Sequence, residues 1–358
     1  MNNKIKDKVV TILFSSILII FFIINVIKKD DDISISERRK LEKFPTLTVN
    51  NLMDGTFFKK FETYTTDQFV KRDDFRKLKV NLELNIKKNY NNLYNYNGYI
   101  VEQTFPLNKN SVINLANKMN SIKETYLTNN NIYFTIVPDK NYFINNGNLK
   151  LDYNELTDLI KNNLKDFNYI DIFSILNLDD YYKTDTHWKQ ENIKKVALLL
   201  SKNMNFDFYD NYNELEITSF KGVYSGQLPI KTELDKITIL TNDIIKNSTV
   251  YNYETKKETE VYDLTKVNSL DKYDIYLSGA VSIIDIINNN SSDKELIVFR
   301  DSYGSSLVPL LIQGYKKITV IDTRYVSPKV LNEYVDFNNK DVLFIYGVIS
   351  VNNSSSIR

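Results

Sequence analysis

The chain has 358 residues, 42% of them apolar, which is enough to fill the core of one large domain or two moderate ones and excludes a disordered protein. Its 46 lysines and arginines stand against 45 aspartates and glutamates, so a net charge of +1 removes any global electrostatic case for nucleic acid. With no cysteine, structural disulfides, thiolate metal sites and cysteine nucleophiles are excluded.

The first element is the uncharged run from Val9 to Ile27, which as a helix rises about 28 Å, close to the hydrocarbon thickness of a bilayer. Lys4, Lys6 and Lys8 precede it, as in an export signal, but no small-x-small cleavage site follows. Residues 1–29 therefore read as an uncleaved signal anchor, single-pass, with the body exported, although Lys28, Lys29, Arg38, Arg39 and Lys40 beyond the span weaken the positive-inside count. Residues 30–92 read as a linker and a helical stalk. Phe57, Phe58, Phe61, Tyr64, Phe69, Phe75, Leu78, Leu82 and Ile86 recur at helical steps, giving two amphipathic helices broken near Arg72-Asp73-Asp74 that pack on the main domain.

From residue 93 to 351 the pattern is that of an α/β domain. Strands are expected at Tyr99–Val101, Ile132–Val137 and Tyr169–Phe173, and helices at Ser111–Leu127, with Ser111 as N-cap, and Asn154–Leu164. A helix over Lys189–Asn203 follows. Between about 220 and 267 the alternation lapses into a glycine-containing loop and strands at Ile237–Leu240, Ser248–Tyr253 and Glu258–Tyr262. These form a β-rich insertion, either a hairpin over the site or an extension of the sheet. The α/β pattern then resumes, with strands at Glu295–Arg300, Ile318–Asp322 and Val342–Tyr346 and helices at Ser305–Ile312 and Ser327–Val335, before a frayed tail over 352–358. Alternating strands and helices predict a largely parallel sheet with its site at the strands' carboxyl ends.

Two stretches carry the chemistry. Tyr181-Tyr182-Lys183-Thr184-Asp185-Thr186-His187-Trp188 holds the only histidine and the only tryptophan. Any imidazole base must be His187, and Asp185 two positions earlier falls on the same side of an extended segment, where its carboxylate orients the ring. The competing reading is a packed histidine with no chemistry. In Phe299-Arg300-Asp301-Ser302-Tyr303-Gly304-Ser305-Ser306 a buried strand turns into a helix. Ser302 is thereby placed as a nucleophile, with N–H groups at the helix start for an oxyanion and Gly304 letting backbone approach a substrate. Here the competing reading is a serine helix cap.

These two blocks, with Asp322-Thr323-Arg324-Tyr325 and Val342-Leu343-Phe344-Ile345-Tyr346, resemble the DHHW family of clostridial and related proteins. That family is similar in turn to the SGNH-hydrolase-like proteins that O-acetylate alginate and other exported polysaccharides. Glu37-Arg38 to Phe44-Pro45 and Asp67-Gln68-Phe69-Val70-Lys71-Arg72-Asp73 extend the resemblance over most of the exported chain. It implies a flavodoxin-like, SGNH-hydrolase-like three-layer α/β domain with Ser302 as nucleophile, His187 as base and Asp185 orienting it. An acetyl group delivered by a multi-span membrane acyltransferase would pass through the serine to a polysaccharide acceptor, without metal or soluble cofactor. Gly279 and Ser225 match positions for further oxyanion donors, and Arg324, Tyr325 and Tyr303 for the acceptor groove. Three positions depart from the pattern. Thr186 stands where the family name has histidine, Arg300 replaces the glycine of a Gly-Asp-Ser block, and Ser278-Gly279-Ala280 lacks the asparagine that SGNH enzymes use as an oxyanion donor. The resemblance is shared by an esterase releasing the same groups and by a non-catalytic glycan-binding or assembly protein of this fold.

Overall fold

The structure, a computed structural model, describes residues 3–288 and 292–358. The chain divides into two compact units, Met1–Tyr90 with Gly226–Lys231, and Asn91–Ser225 with Thr232–Arg358.

The first unit begins with α1 (Asn3–Ile27), which is long and apolar enough to cross a membrane, a property that spans share with signal sequences. Its last turns are tied to the rest of the unit. The Asn25 side-chain oxygen accepts the Val70 N–H at 2.8 Å, and the Phe21 ring stacks on Phe69 at 5.9 Å. After a five-residue helix at Val49–Met53 come two longer ones, α2 (Thr56–Asp67) and α3 (Arg72–Lys87). The break between them falls at Gln68–Lys71, where Lys71 has a φ of 58°. Asp73 and Asp74 lie in the first turn of α3, where the helix dipole favours acidic groups. The two charged blocks noted in the sequence meet here. Glu37 receives Arg72 at 2.5 Å and Arg76 at 3.2 Å, while the buried Asp67 receives Arg39 at 2.5 Å. Arg76 also donates to the Gly226 carbonyl, and a Cβ on Gly226 would collide with the Ser36 carbonyl oxygen at 1.6 Å, so part of the expected insertion is structurally part of this unit.

The second unit is mixed α/β around a mostly parallel sheet. Its strands in chain order are β1 (Asn131–Val137), β2 (Asn168–Tyr169), β3 (Thr249–Asn252), β4 (Lys257–Thr259), β5 (Ile283–Ile287), β6 (Glu295–Arg300), β7 (Lys317–Ile321) and β8 (Asp341–Gly347), arranged β4-β3-β5-β7-β6-β8-β1-β2. The five strands from β7 to β2 are parallel, and β5, β3 and β4 extend them antiparallel. Continuous apolar runs such as Leu296-Ile297-Val298-Phe299 form central strands because both faces are covered. Ile297, Phe299, Val342 and Phe344 join one core with helices α4 (Lys109–Tyr126) and α5 (Tyr153–Asn163). Their neighbours Leu296, Val298, Leu343 and Ile345 join the other, with α6 (Lys194–Met204) and α7 (Tyr303–Leu311).

Several elements differ from the sequence reading. Asn108, not Ser111, caps α4, accepting the Ser111 N–H at 3.1 Å. The strand expected to Phe173 ends at Tyr169, because Phe173–Ile175 is a 3₁₀ turn, as is Pro328–Glu333 where a helix was expected. The helix expected from Lys189 begins only at Lys194, after a 3₁₀ turn at Gln190–Asn192. The region 220–267 splits: the β3–β4 hairpin lengthens the sheet, whereas Asp235–Thr241 pairs with Asn213–Phe220 in a separate ribbon. The end of the chain is not frayed. Ser354 and Ile357 are buried, and the Ser354 hydroxyl donates to the Ser111 carbonyl at 2.8 Å. A short polar run hides this docking because only two of its side chains face inward. Ile357→Ala is expected to cost about 2–5 kcal/mol in urea unfolding, as for other buried aliphatic truncations. A frayed end would give a change within about 0.5 kcal/mol.

Candidate active site

The parallel strands deliver their carboxyl ends to one edge, and β6 turns there through Asp301 and Ser302 into α7. The Ser302 hydroxyl makes no cap bond to the helix, so the cap reading does not hold. It lies 2.7 Å from Nε2 of His187, across 115 residues of chain. Asp301 does the knitting instead: Oδ1 accepts the Tyr303 N–H at 3.1 Å, and Oδ2 accepts the Gly347 N–H and the Ser350 hydroxyl, each at 2.7 Å. The turn is thereby fixed to the end of β8, and the serine side chain is left for the imidazole.

His187 sits on a tight loop closed by a bridge between Tyr181 and Trp188 and by the Tyr182 N–H donating to the His187 carbonyl at 3.0 Å. Asp185 and His187 share a side through a turn and not through extended chain. Asp185 Oδ1 accepts the His187 backbone N–H at 3.2 Å and meets Nδ1 at 2.6 Å. Oδ2 accepts the Val223 N–H at 2.9 Å. Burial alone would raise this carboxyl's pKa, but the neighbouring His187 and the N–H donors outweigh it and hold it below the ordinary aspartate range. A Cβ on Gly222 would fall 2.4 Å from the Asp185 Cβ, so only glycine allows the 222–223 backbone this close.

Three groups that sequence reasoning missed hold the pair. Tyr273 stacks on the His187 ring at 3.8 Å and 7°, and its hydroxyl shares the Ser306 Oγ with the Trp188 indole N–H. Asp235 accepts the Lys183 and Thr184 N–H groups at 2.8 and 2.7 Å, with the Thr184 hydroxyl at 2.6 Å. Lys140, buried just past the end of β1, donates to the Tyr182 and Lys183 carbonyls at 3.1 and 3.3 Å. Each lies tens of residues from the histidine in sequence, in a stretch with no motif of its own. The strand end at Val137-Pro138, from which Lys140 follows, was the one available signal.

The remaining expected residues behave differently. Tyr303 is buried, donates its hydroxyl to the Thr186 carbonyl at 2.9 Å and packs edge-on against His187 and Trp188, so it braces the loop and does not line a groove. Gly279 has a φ of +78°, its N–H donates to the Tyr276 carbonyl at 3.2 Å, and its carbonyl accepts Arg300 at 2.9 Å, so its N–H is occupied within the turn. Gly304 accommodates the Arg300 side chain, whose Cβ would lie 2.7 Å from an added methyl, and not a substrate. Arg300 itself is buried with Asp322 at 3.6 Å, and burial lowers its pKa. Ser225 lies three residues beyond Gly222, its hydroxyl buried without a partner. Arg324 is gripped by both oxygens of Asp322, at 2.9 and 2.6 Å, and stacks on Tyr325, which is 48% exposed and the member of that pair open to solvent. Among the described residues no three acidic or histidine side chains converge as a metal site.

No family model matches the sequence, and no curated protein does. Solved structures do match the fold. A DHHW family protein from Eubacterium siraeum superposes with a TM-score of 0.60 at 19% identity, over 74% of this chain and 93% of that one. Bacillus cereus PatB1 bearing a sulfonyl adduct gives 0.59 at 18%, over 73% and 97%. The O-acetyltransferase domain of Pseudomonas putida AlgJ gives 0.44 at 11%, over 72% and 90%. The chain thus has the fold of the DHHW protein and of PatB1.

Lys140 gives the site a pH signature. Burial pushes its ammonium down to about 7 from an ordinary value of 10.5, against the pull of Asp185, Asp235, Asp139 and Glu102. Between these values the folded protein binds fewer protons than the unfolded chain, so this group makes stability rise with pH from about 7 to 10.5. Lys140→Met is expected to flatten that rise in urea titrations across the window; an unchanged slope would show that the lysine titrates normally.

Proposed function

We propose that the chain is a membrane-anchored serine O-acyltransferase of SGNH-hydrolase-like, three-layer architecture, moving an acetyl group to a hydroxyl of a cell-wall or exported polysaccharide. The observation that carries the proposal is the continuous line from Ser302 Oγ through His187 to Asp185, with contacts of 2.7 and 2.6 Å. The Asp185 carboxylate holds Nδ1–H, which leaves Nε2 as the acceptor for the serine proton. Ser302 Oγ attacks the acyl carbonyl as that proton passes to Nε2. The N–H groups of Tyr303, Gly304 and Ser305 are engaged by Asp301 and Ser302, so the Ser302 N–H is the donor at hand for the oxyanion. The leaving group departs with the proton from Nε2, and an acyl-serine ester remains. The acceptor hydroxyl then gives its proton to Nε2 and attacks the ester, and the proton returns to Ser302 as the product leaves.

The fold shared with the DHHW protein and PatB1 supports the architecture, and α1 supports the anchor, with the second unit outside the membrane. The exposed Tyr325 ring, with Arg324 fixed beside it by Asp322, suits a sugar acceptor, with Ser225 as a further member of the site and a multi-span acyltransferase as the source of the acyl group. Esterase activity would use the same acyl-serine with water as acceptor.

A sulfonyl fluoride is expected to modify Ser302, located by mass spectrometry, and Ser302→Ala to remove both labelling and turnover of an activated acetyl ester, by roughly 10³-fold or more. His187→Ala should do the same while remaining folded by circular dichroism. Folded wild-type protein that leaves Ser302 unlabelled would sink the proposal in favour of a glycan-binding role. Acetylation of an added oligosaccharide, against release of free acetate, separates transferase from esterase.

A further inference from the structure

The first unit carries an apolar surface that the chemistry above does not use. An open groove of about 780 Å³ runs between the last turns of α1 and helices α2 and α3, walled by Phe21, Phe22 and Val26 on one side and Phe44, Phe69 and Phe75 on the other. The rings hold one another edge-on or stacked, with Phe69 and Phe75 at 5.6 Å and Phe21 and Phe75 at 6.1 Å, yet Phe44 is 59% and Phe75 46% exposed.

The polar groups along the groove are turned inward to the protein. Asn25 bonds the Phe21 carbonyl and the Val70 N–H, Gln68 bonds the main chain of Asp31 and Glu42, Tyr64 donates to Asp30, and Thr65 donates to the Glu62 carbonyl. The groove therefore offers chiefly hydrocarbon contact. From Phe75 the apolar surface continues along one face of α3 through Leu78, Leu82 and Ile86, at steps of three and four and 55–80% exposed. Water is a poor occupant for such a surface.

One wall identifies the occupant. Phe21, Phe22 and Val26 belong to the helix that is long and apolar enough to cross a bilayer, and a groove sharing that wall opens onto whatever surrounds the helix. Asn25 and Phe21 bind α1 to Val70 and Phe69, so the helix is part of the unit's packing. We propose that the groove and the outer face of α3 seat the acyl chains of bilayer lipids, so that α2 and α3 lie in the membrane surface beside the span and do not form a stalk standing in water. This inference rests on α1 residing in the bilayer and not on the acyl-transfer reading.

The absence of cysteine makes the test clean. Leu78→Cys and Leu82→Cys in the full chain are spin-labelled after reconstitution into phosphatidylethanolamine/phosphatidylglycerol vesicles, with Leu13→Cys in the span and Glu258→Cys on β4 as references. Collisions with oxygen and with a water-soluble nickel chelate are then measured. The labels at 78 and 82 are expected to match Leu13→Cys, open to oxygen and protected from nickel. Nickel collisions as frequent as at Glu258→Cys would place the face in water and overturn the proposal. Protection from both quenchers would overturn it too, assigning the face to a second copy of the chain, the only other protein present. In parallel, a phospholipid with a photoreactive diazirine on its acyl chain is expected to crosslink peptides containing Phe44, Phe75 or Leu82 of the unmodified chain; adducts confined to α1 would count against the proposal.

Discussion

A buried carboxylate beside a solitary imidazole is the constraint on which the second unit's edge depends. Asp185 is 1% exposed, and an ionised carboxylate so placed is destabilising unless its oxygens are met by donors. Three donors come from two segments: the His187 ring and backbone N–H from its own loop, and the Val223 N–H from 38 residues further on. Meeting that requirement forces the Gly222-Val223 backbone against the loop, which Gly222 alone permits, and Thr184 hydrogen-bonds the Gly222 N–H at 2.7 Å while Asp235 fixes Thr184. The loop's position is thus determined by satisfying one charge.

The other half of the site follows the same logic. Asp301 is buried at the end of β6 and takes its donors from Tyr303, Gly347 and Ser350, which locks the turn to β8. Ser302, between two engaged neighbours, has its hydroxyl free of the helix and directed at His187. Trp188 and Tyr273 then fasten the two halves through one serine, Ser306, whose Oγ takes both partners. Rigid aromatic walls on two sides of the His187 ring limit it to the orientation that the serine and aspartate require. In the proposed reaction this pre-organisation, more than any single contact, aligns proton transfer.

Much of this was legible in the sequence, for identifiable reasons. Strands with both faces covered must be continuously apolar, so β1, β6 and β8 stand out as runs, and an imidazole base, if there is one, can only be His187 because the chain has no other histidine. Ser302 was marked by the strand-to-helix change in period. Less legible were elements whose shape comes from partners. Asn213–Phe220 alternates only briefly, at Leu215 and Ile217, and is largely exposed, and Ser354 and Ile357 dock through two side chains in a polar run. Gly279 and Gly304 were read as serving substrate, yet they serve Arg300, because its buried guanidinium needs room and acceptors.

By itself the sequence determined the α/β alternation, the apolar amino-terminal helix and the identities of Asp185, His187 and Ser302, since period, length and scarcity are local properties. Only the tertiary structure decided that His187 and Ser302 meet at 2.7 Å, that Lys140, Asp235 and Tyr273 surround them, and that Tyr303 and Arg324 are spoken for by other partners. Hydrogen-bond satisfaction of buried polar groups is a non-local condition. It is met by whichever donors the folded chain brings near, and those donors carry no mark in the sequence around them.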